Sequence, residues 1–172
     1  PKDTFWRSIS KDNITTLYGK SAECRIADPA DPSRVFSWLI CESYDDKGNA
    51  IVYEYVKEDS AGIGTSQAHE RNRTDTSRSA NRYLKRIKYG NLPSRLVEPD
   101  LSKLKWLFEV VFDYDEKHYE ILPQGSSGYE FVRVLNKVKG DDNAGDRTRT
   151  WTVRQDIFST YRAGFEVRTY RL

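Results

Sequence analysis

Apolar and polar residues alternate at a period of two in segment after segment of this chain, and that pattern limits the fold more than any other feature. Leu104, Trp106, Phe108, Val110 and Phe112 fall on one side of an extended segment, which is the spacing of a pleated strand and not of a helix turn. No window carries a convincing helical repeat. The expected fold is therefore all-β, made mainly of antiparallel hairpins and sheets with long polar loops.

Strands are expected at Phe5 to Ile9 and Ile14 to Tyr18, joined by the turn Ser10-Lys11-Asp12-Asn13, with a third at Glu23 to Ala27. After Pro29 and Pro32, the segment from Val35 to Cys41 sets Phe36, Trp38 and Ile40 against Val35, Leu39 and Cys41, which predicts a central strand covered on both faces. Asp45-Asp46-Lys47-Gly48-Asn49 supplies the positive-φ residues of a tight turn, and Ala50 to Val56 returns from it. Pairing resumes at Asn81 to Tyr89. Tyr119 to Leu122 is expected to pair back on Leu104 to Phe112, and the loop Gly140 to Arg147 to precede a strand at Trp151 to Arg154. From Glu58 to Ala80 large apolar residues nearly vanish, which predicts a long flexible loop with one helical turn near its end.

The ends carry their own expectation. Phe165 to Leu172 keeps an extended pattern of aromatics and cations with nothing to close it, and the chain begins at Pro1 and holds no Met. Residues 1–172 thus read as a single partial domain, truncated at the C-terminus and belonging to something larger. With 37% hydrophobic residues and four Trp, eleven Tyr and seven Phe, it can build a core, a wet one because 31% of residues are charged.

A net charge of +2 hides two opposed blocks. Arg71, Arg73, Arg78, Arg82, Lys85, Arg86 and Lys88 face only Asp75 in their stretch, whereas Glu109, Asp113, Asp115, Glu116 and Glu120 face only Lys117. Such blocks suit complementary surfaces. Arg82, Tyr83, Lys85, Arg86, Lys88 and Tyr89 form the candidate interaction strand, because cations alternating with rings are what a nucleic-acid stacking surface uses. Against a nucleic-acid partner stand the small net charge and the acidic block as an internal partner. Exposed Trp6, Trp38, Trp106, Trp151 and tyrosines leave a carbohydrate-binding module as another alternative, although aromatics at period two more often build core.

No segment approaches the roughly 18 apolar residues of a membrane span, so no membrane contact is expected, and the start does not resemble a signal peptide. Cys24 and Cys41 are too far apart for a two-residue metal knuckle and read as two buried free thiols ahead of one disulfide. No enzyme is expected and no catalytic residue is assigned. His69 and His118 lie in polar surroundings with no nucleophile at a recognisable elbow. Asp113-Tyr114-Asp115-Glu116 opens like a calcium loop but has His118 at the sixth position and Gln124 at the twelfth. Asp141, Asn143 and Asp146, with Asp142, are weak calcium candidates, an acidic turn being the plainer reading. Gly125-Ser126-Ser127-Gly128 lacks the Lys and Ser/Thr of a phosphate loop, so no cofactor is expected.

Several strings carry a family resemblance. Phe5-Trp6-Arg7, Ala27-Asp28-Pro29-Ala30-Asp31-Pro32, Val35-Phe36-Ser37-Trp38-Leu39, Asp46-Lys47-Gly48-Asn49, Tyr53-Glu54-Tyr55, Ala80-Asn81-Arg82-Tyr83-Leu84-Lys85-Arg86, Tyr89-Gly90-Asn91 and Gly164-Phe165-Glu166-Val167-Arg168-Thr169 run in the order found in the SpvB-type domain. That domain occurs in the B component of bacterial insecticidal toxin complexes. The resemblance implies a structural segment of a hollow β-sheet shell that encloses and delivers a cytotoxic polypeptide. It implies as partners the C component, with its RHS-like repeats and toxic cargo, and through the rest of the protein the pore-forming A component. It also implies synthesis in the bacterial cytoplasm followed by release without a signal peptide. One protein of that family carries an ADP-ribosyltransferase in a separate domain, an activity that needs a Glu-x-Glu pair and a Ser-Thr-Ser strand. Here Ser159-Thr160-Tyr161 lacks the last Ser, and Arg168 stands where the second Glu would follow Glu166.

Overall fold

The computed structural model describes residues 4–112, 114, 119–122, 131–134 and 153–171. The fold is all-β and its pairings are antiparallel. β1 (Trp6–Ile9), β2 (Thr15–Tyr18), β5 (Ile40–Tyr44), β6 (Ala50–Lys57), β7 (Arg82–Leu92) and β8 (Lys105–Val111) form one six-stranded sheet in the order β1-β2-β5-β6-β7-β8. Three two-stranded ribbons stand beside it. They pair β3 (Arg25–Asp28) with β4 (Asp31–Trp38), β9 (Tyr119–Leu122) with β10 (Phe131–Val134), and β11 (Val153–Arg162) with β12 (Phe165–Arg171).

Of the positive-φ residues anticipated between Asp45 and Asn49, the structure gives Gly48 alone. Gly48 adopts φ +83, and the Asp45 carboxylate accepts from the amides of Lys47 at 3.0 Å and Asn49 at 2.9 Å, which closes the β5–β6 hairpin. The polar segment after β6 holds one helical turn, α1 (Asp75–Arg78). Thr74 caps it by accepting from the Ser77 amide at 3.1 Å.

Val35 to Cys41 is not one covered central strand. The chain leaves one ladder and enters another at Leu39, whose amide donates to the Cys24 carbonyl at 2.9 Å while its carbonyl accepts from Gly19 at 2.7 Å. β4 stays with β3, and β5 joins the main sheet. Residues 35–40 are half-buried on both faces because one half packs in the β3–β4 ribbon and the other in the main sheet, so a continuous apolar run does not distinguish one covered strand from two joined ones. Gly19 holds the junction at φ +62, and a β-carbon there would lie 2.3 Å from the Trp38 ring. Two other expectations change. Glu23 and Cys24 belong to a 3-10 turn, Ala22–Cys24, so the third strand starts at Arg25. Tyr119–Leu122 pairs with Phe131–Val134 and not with β8, the antiparallel partner being supplied downstream. Trp151 and the Gly140 to Arg147 loop lie outside the described residues.

A small apolar core joins the ribbons. Ile26 of β3, Ala80 and Val167 of β12 are buried together, with Phe36, Leu39 and Phe165 packed against them. The β11–β12 hairpin is therefore seated on the β3–β4 ribbon and on the entry to β7.

Candidate functional site: a charged sheet face and two buried carboxylates

Register decides which side chains share a face of the main sheet. Glu42 of β5 opposes Val52 of β6, which opposes Lys88 of β7, which opposes Glu109 of β8, and Glu54 opposes Arg86 one step along. Side chains at such positions stand on one side of the pleat. Acids of β5, β6 and β8 thus share a face with the cations of β7, with Val52 and Val111 set among them. Arg86 reaches Glu109 at 3.1 Å and Glu54 at 3.8 Å, Lys88 reaches Glu54 at 2.6 Å, and Glu42 is flanked by Arg95 and by Lys20 at 3.7 Å. Arg86 and Glu42 are almost wholly buried.

The opposite face is apolar. Ile51 opposes Tyr89, Tyr89 opposes Phe108, and Tyr53, Ile87 and Val110 fill the next row. Tyr89 and Phe108 stack with ring centroids 5.2 Å apart. Phe108 nevertheless stays 55% exposed, and Ile51, Val110 and Phe112 are exposed beside it. The period-two aromatics of β8 therefore do not build core within the described residues. Glu42 and Arg86 on the charged side are thus buried while this hydrocarbon is exposed, although on β8 Leu107 and Glu109 of the charged side reach solvent too.

The six residues of the candidate interaction strand are divided by these faces. Lys85 is the extra residue of a β-bulge, since Glu54 opposes Arg86 and Tyr55 opposes Leu84, and its ammonium donates to the Phe112 carbonyl at 3.0 Å. Arg82 donates to the carbonyls of Ser79 and Asn81 at 3.0 Å. Tyr83 is buried and donates to Glu58 at 2.6 Å. Arg86 and Lys88 are held by carboxylates, and Tyr89 alone of the six is an exposed ring. One strand thus supplies inter-strand ion pairs, backbone caps and an apolar surface, rather than one continuous basic surface.

Sequence reasoning missed a second charged centre. Glu70, in the polar segment, is fully buried and accepts from Arg78 at 2.8 Å, from Arg168 at 2.6 Å and from the Tyr170 hydroxyl at 3.0 Å. Burial opposes its charge, but these donors outweigh burial and hold the carboxyl below its ordinary value. Glu58 is as deeply buried and accepts from Arg171 at 2.9 Å and from Tyr83. For Glu58 burial wins, and its carboxyl is pushed up. Tyr170, wholly buried, has its phenol pushed up to about 12, first by burial and then by the adjoining Glu70. β12 had carried the signal: Arg168 shares a face with Tyr170, Arg171 shares the other with Phe165 and Val167, and cations in a buried strand require buried carboxylates.

The other candidates separate. His69 contributes only its carbonyl, which accepts from Arg168 at 3.0 Å. His118, Asp141, Asn143 and Asp146 lie outside the described residues, as does Gly125 to Gly128. Among the described residues no group of three or more His, Cys, Asp or Glu could hold a metal, and no helix is long and apolar enough to cross a membrane. Glu166 is engaged by Arg73, by Arg168 at 2.7 Å and by the Ser159 hydroxyl.

A family model described as "Salmonella virulence plasmid 65kDa B protein" matches residues 1–172. The chain belongs to the SpvB family. It is 32% identical to the mono(ADP-ribosyl)transferase SpvB of Salmonella typhimurium (strain 14028s) over 174 residues, 99% of this chain and 26% of that protein, and equally to the SpvB of Salmonella choleraesuis (strain SC-B67). It therefore spans about a quarter of these SpvB proteins. The solved N-terminal domain of effector SpvB from Salmonella typhimurium strain LT2 matches with a TM-score of 0.71 at 31% identity, covering 98% of this chain and 47% of that one. The crystal structure of TcdB2-TccC3 matches with a TM-score of 0.67 at 31% identity, over 100% of this chain and 8% of the other. A Photorhabdus luminescens Tc holotoxin pore matches at 0.64 and 30% identity, over 98% of this chain and 7% of the other. The SpvB-family frame thus occurs in an effector and in Tc toxin assemblies.

Proposed function

We propose that this chain is a non-enzymatic wall segment of a toxin component, contributing strands to a hollow β-sheet shell that encloses and delivers a cytotoxic polypeptide. The observation that carries the reading is the apolar face around Tyr89 and Phe108, which the described residues leave exposed while Glu42 and Arg86 on the opposite face are buried; such a face suits cover by other protein. Supporting it, the same fold recurs as 8% of the TcdB2-TccC3 chain matched above. The partners proposed are a C component that completes the shell and supplies its cargo, and a pore-forming A component reached through other parts of the protein. The reading includes synthesis in the bacterial cytoplasm followed by release. Transferase chemistry is assigned to none of its residues, because Glu166 is bound by Arg73, Arg168 and Ser159 and no second Glu follows it.

Co-expression of the full-length protein that carries this chain with the product of the neighbouring gene, followed by mass determination and limited proteolysis, tests the reading. A stoichiometric complex that protects an internal polypeptide is expected. A protein that assembles with nothing and protects nothing contradicts it.

A further inference from the structure

The two thiols are not scattered. Cys24 ends the 3-10 turn before β3, Cys41 lies in β5, and both line one cavity of about 570 Å³ together with Lys20, Glu42, Tyr55 and Leu101. Leu39 ties the two backbones together, since its amide donates to the Cys24 carbonyl at 2.9 Å while the Cys41 thiol lies 3.7 Å from its own carbonyl. No disulfide joins the pair, and the two thiols are close enough to shift one another's titration in opposite directions.

The two sulfurs sit in unequal surroundings. Cys41 Sγ accepts from the Lys20 amide at 3.1 Å, and the amides of Gly19 and Ser21 also favour its charged form. With the Cys24 thiol as the largest contributor, these donors hold the Cys41 thiol below its ordinary value, whereas Cys24 is pushed up by that same pairing and by burial. The Glu42 Oε2 atom lacks a hydrogen bond and turns toward the Lys20 ammonium at 3.7 Å, both residues lining the same cavity.

We propose that Cys41 and Cys24 form a redox site for low-molecular-weight disulfides, Cys41 as the attacking sulfur and Cys24 as the resolving one. The Cys41 thiolate attacks one sulfur of the incoming disulfide, the S–S bond breaks, and the first half leaves as a thiolate that takes a proton from solvent. Cys24 then attacks the Cys41 sulfur, its proton goes to the second half, and that half departs as a thiol. The small disulfide is reduced to two thiols, and the pair is oxidised to a Cys24–Cys41 disulfide. That bond pins the β3–β4 ribbon to the main sheet, where the Leu39 hydrogen bonds and the bond from Arg25 to the Gly19 carbonyl at 2.6 Å now hold it.

Oxidised glutathione is the probe. The folded chain is incubated with it, quenched in acid at timed intervals and mapped by peptide mass, with the urea-unfolded chain as the reference for freely reacting thiols. Wild type is expected to pass through a glutathione adduct on Cys41 to the internal disulfide. Cys24→Ser is expected to accumulate the adduct, and Cys41→Ser to form little. Where a serine variant does not fold, the order of species in the wild-type time course decides. The proposal is overturned if the folded chain keeps both thiols while the unfolded chain reacts, or if the first adduct appears on Cys24.

Discussion

Arg168 and Glu70 lie 98 residues apart in sequence and meet at 2.6 Å, joining the last strand to the middle of the polar segment. With Arg78 and Tyr170 on the same carboxylate, the pair anchors the largely exposed Glu58-to-Ala80 segment to β12 through one buried side chain. Removing one side of such a cluster strands the remaining charges. Glu70→Gln is expected to cost about 3–5 kcal/mol, read as a lowered urea midpoint. Glu58→Gln is expected to cost only about 1–2 kcal/mol, because burial already works against the charge there and an amide oxygen can still accept from Tyr83 and Arg171. Equal losses contradict the account.

The same two carboxyls predict opposite pH slopes. Glu70 has its folded value depressed, so its contribution is complete above the unfolded carboxylate value of about 4.3 and is lost as pH falls through the lower folded value. Glu58 has its folded value raised, so its contribution is complete below the unfolded value and is lost as pH rises through the folded one. Urea titrations from neutral pH down to about pH 4 should therefore show the penalty of Glu58→Gln growing. Continued below that pH, they should show the penalty of Glu70→Gln shrinking. Parallel slopes would falsify the assignment.

Arg86 is buried between partners that are themselves about a third exposed, so solvent screens part of the pairing. Arg86→Gln is expected to lower stability by about 1–3 kcal/mol. Replacing Arg82, Lys85 and Arg86 together by Gln should impair folding or assembly, with no salt-sensitive polynucleotide retention to lose. Unchanged assembly, cargo retention and solubility in the triple variant would remove the structural role given to this strand.

Much of the strand pattern was legible because alternation, turns and charge blocks are local. The β5–β6 hairpin could be read from Asp45 to Asn49, and the family from its strings. What escaped was non-local. A continuous apolar run from Val35 to Cys41 hides a change of ladder that only the long-range bonds of Leu39 reveal. Glu58 and Glu70 look like solvated loop acids until the arginines of β12 are brought to them, and a strand rich in both rings and cations does not say which face closes on carboxylates.

Uncovered hydrocarbon should make the isolated chain sticky. Phe108→Glu is expected to reduce concentration-dependent self-association in sedimentation velocity, while costing no more than about 0.5–1.5 kcal/mol through loss of the Tyr89 stack. Association that persists unchanged in the variant places the sticky surface elsewhere.

The apolar face decides the central claim. Phe108→Cys in the full-length protein, alone and co-expressed with its neighbour, can be labelled with a maleimide and quantified by peptide mass against the denatured protein. Protection of position 108 in the assembled protein is the result predicted for a wall segment whose outer residues are covered by other protein. Labelling of position 108 at the denatured rate in every assembly state would contradict the account.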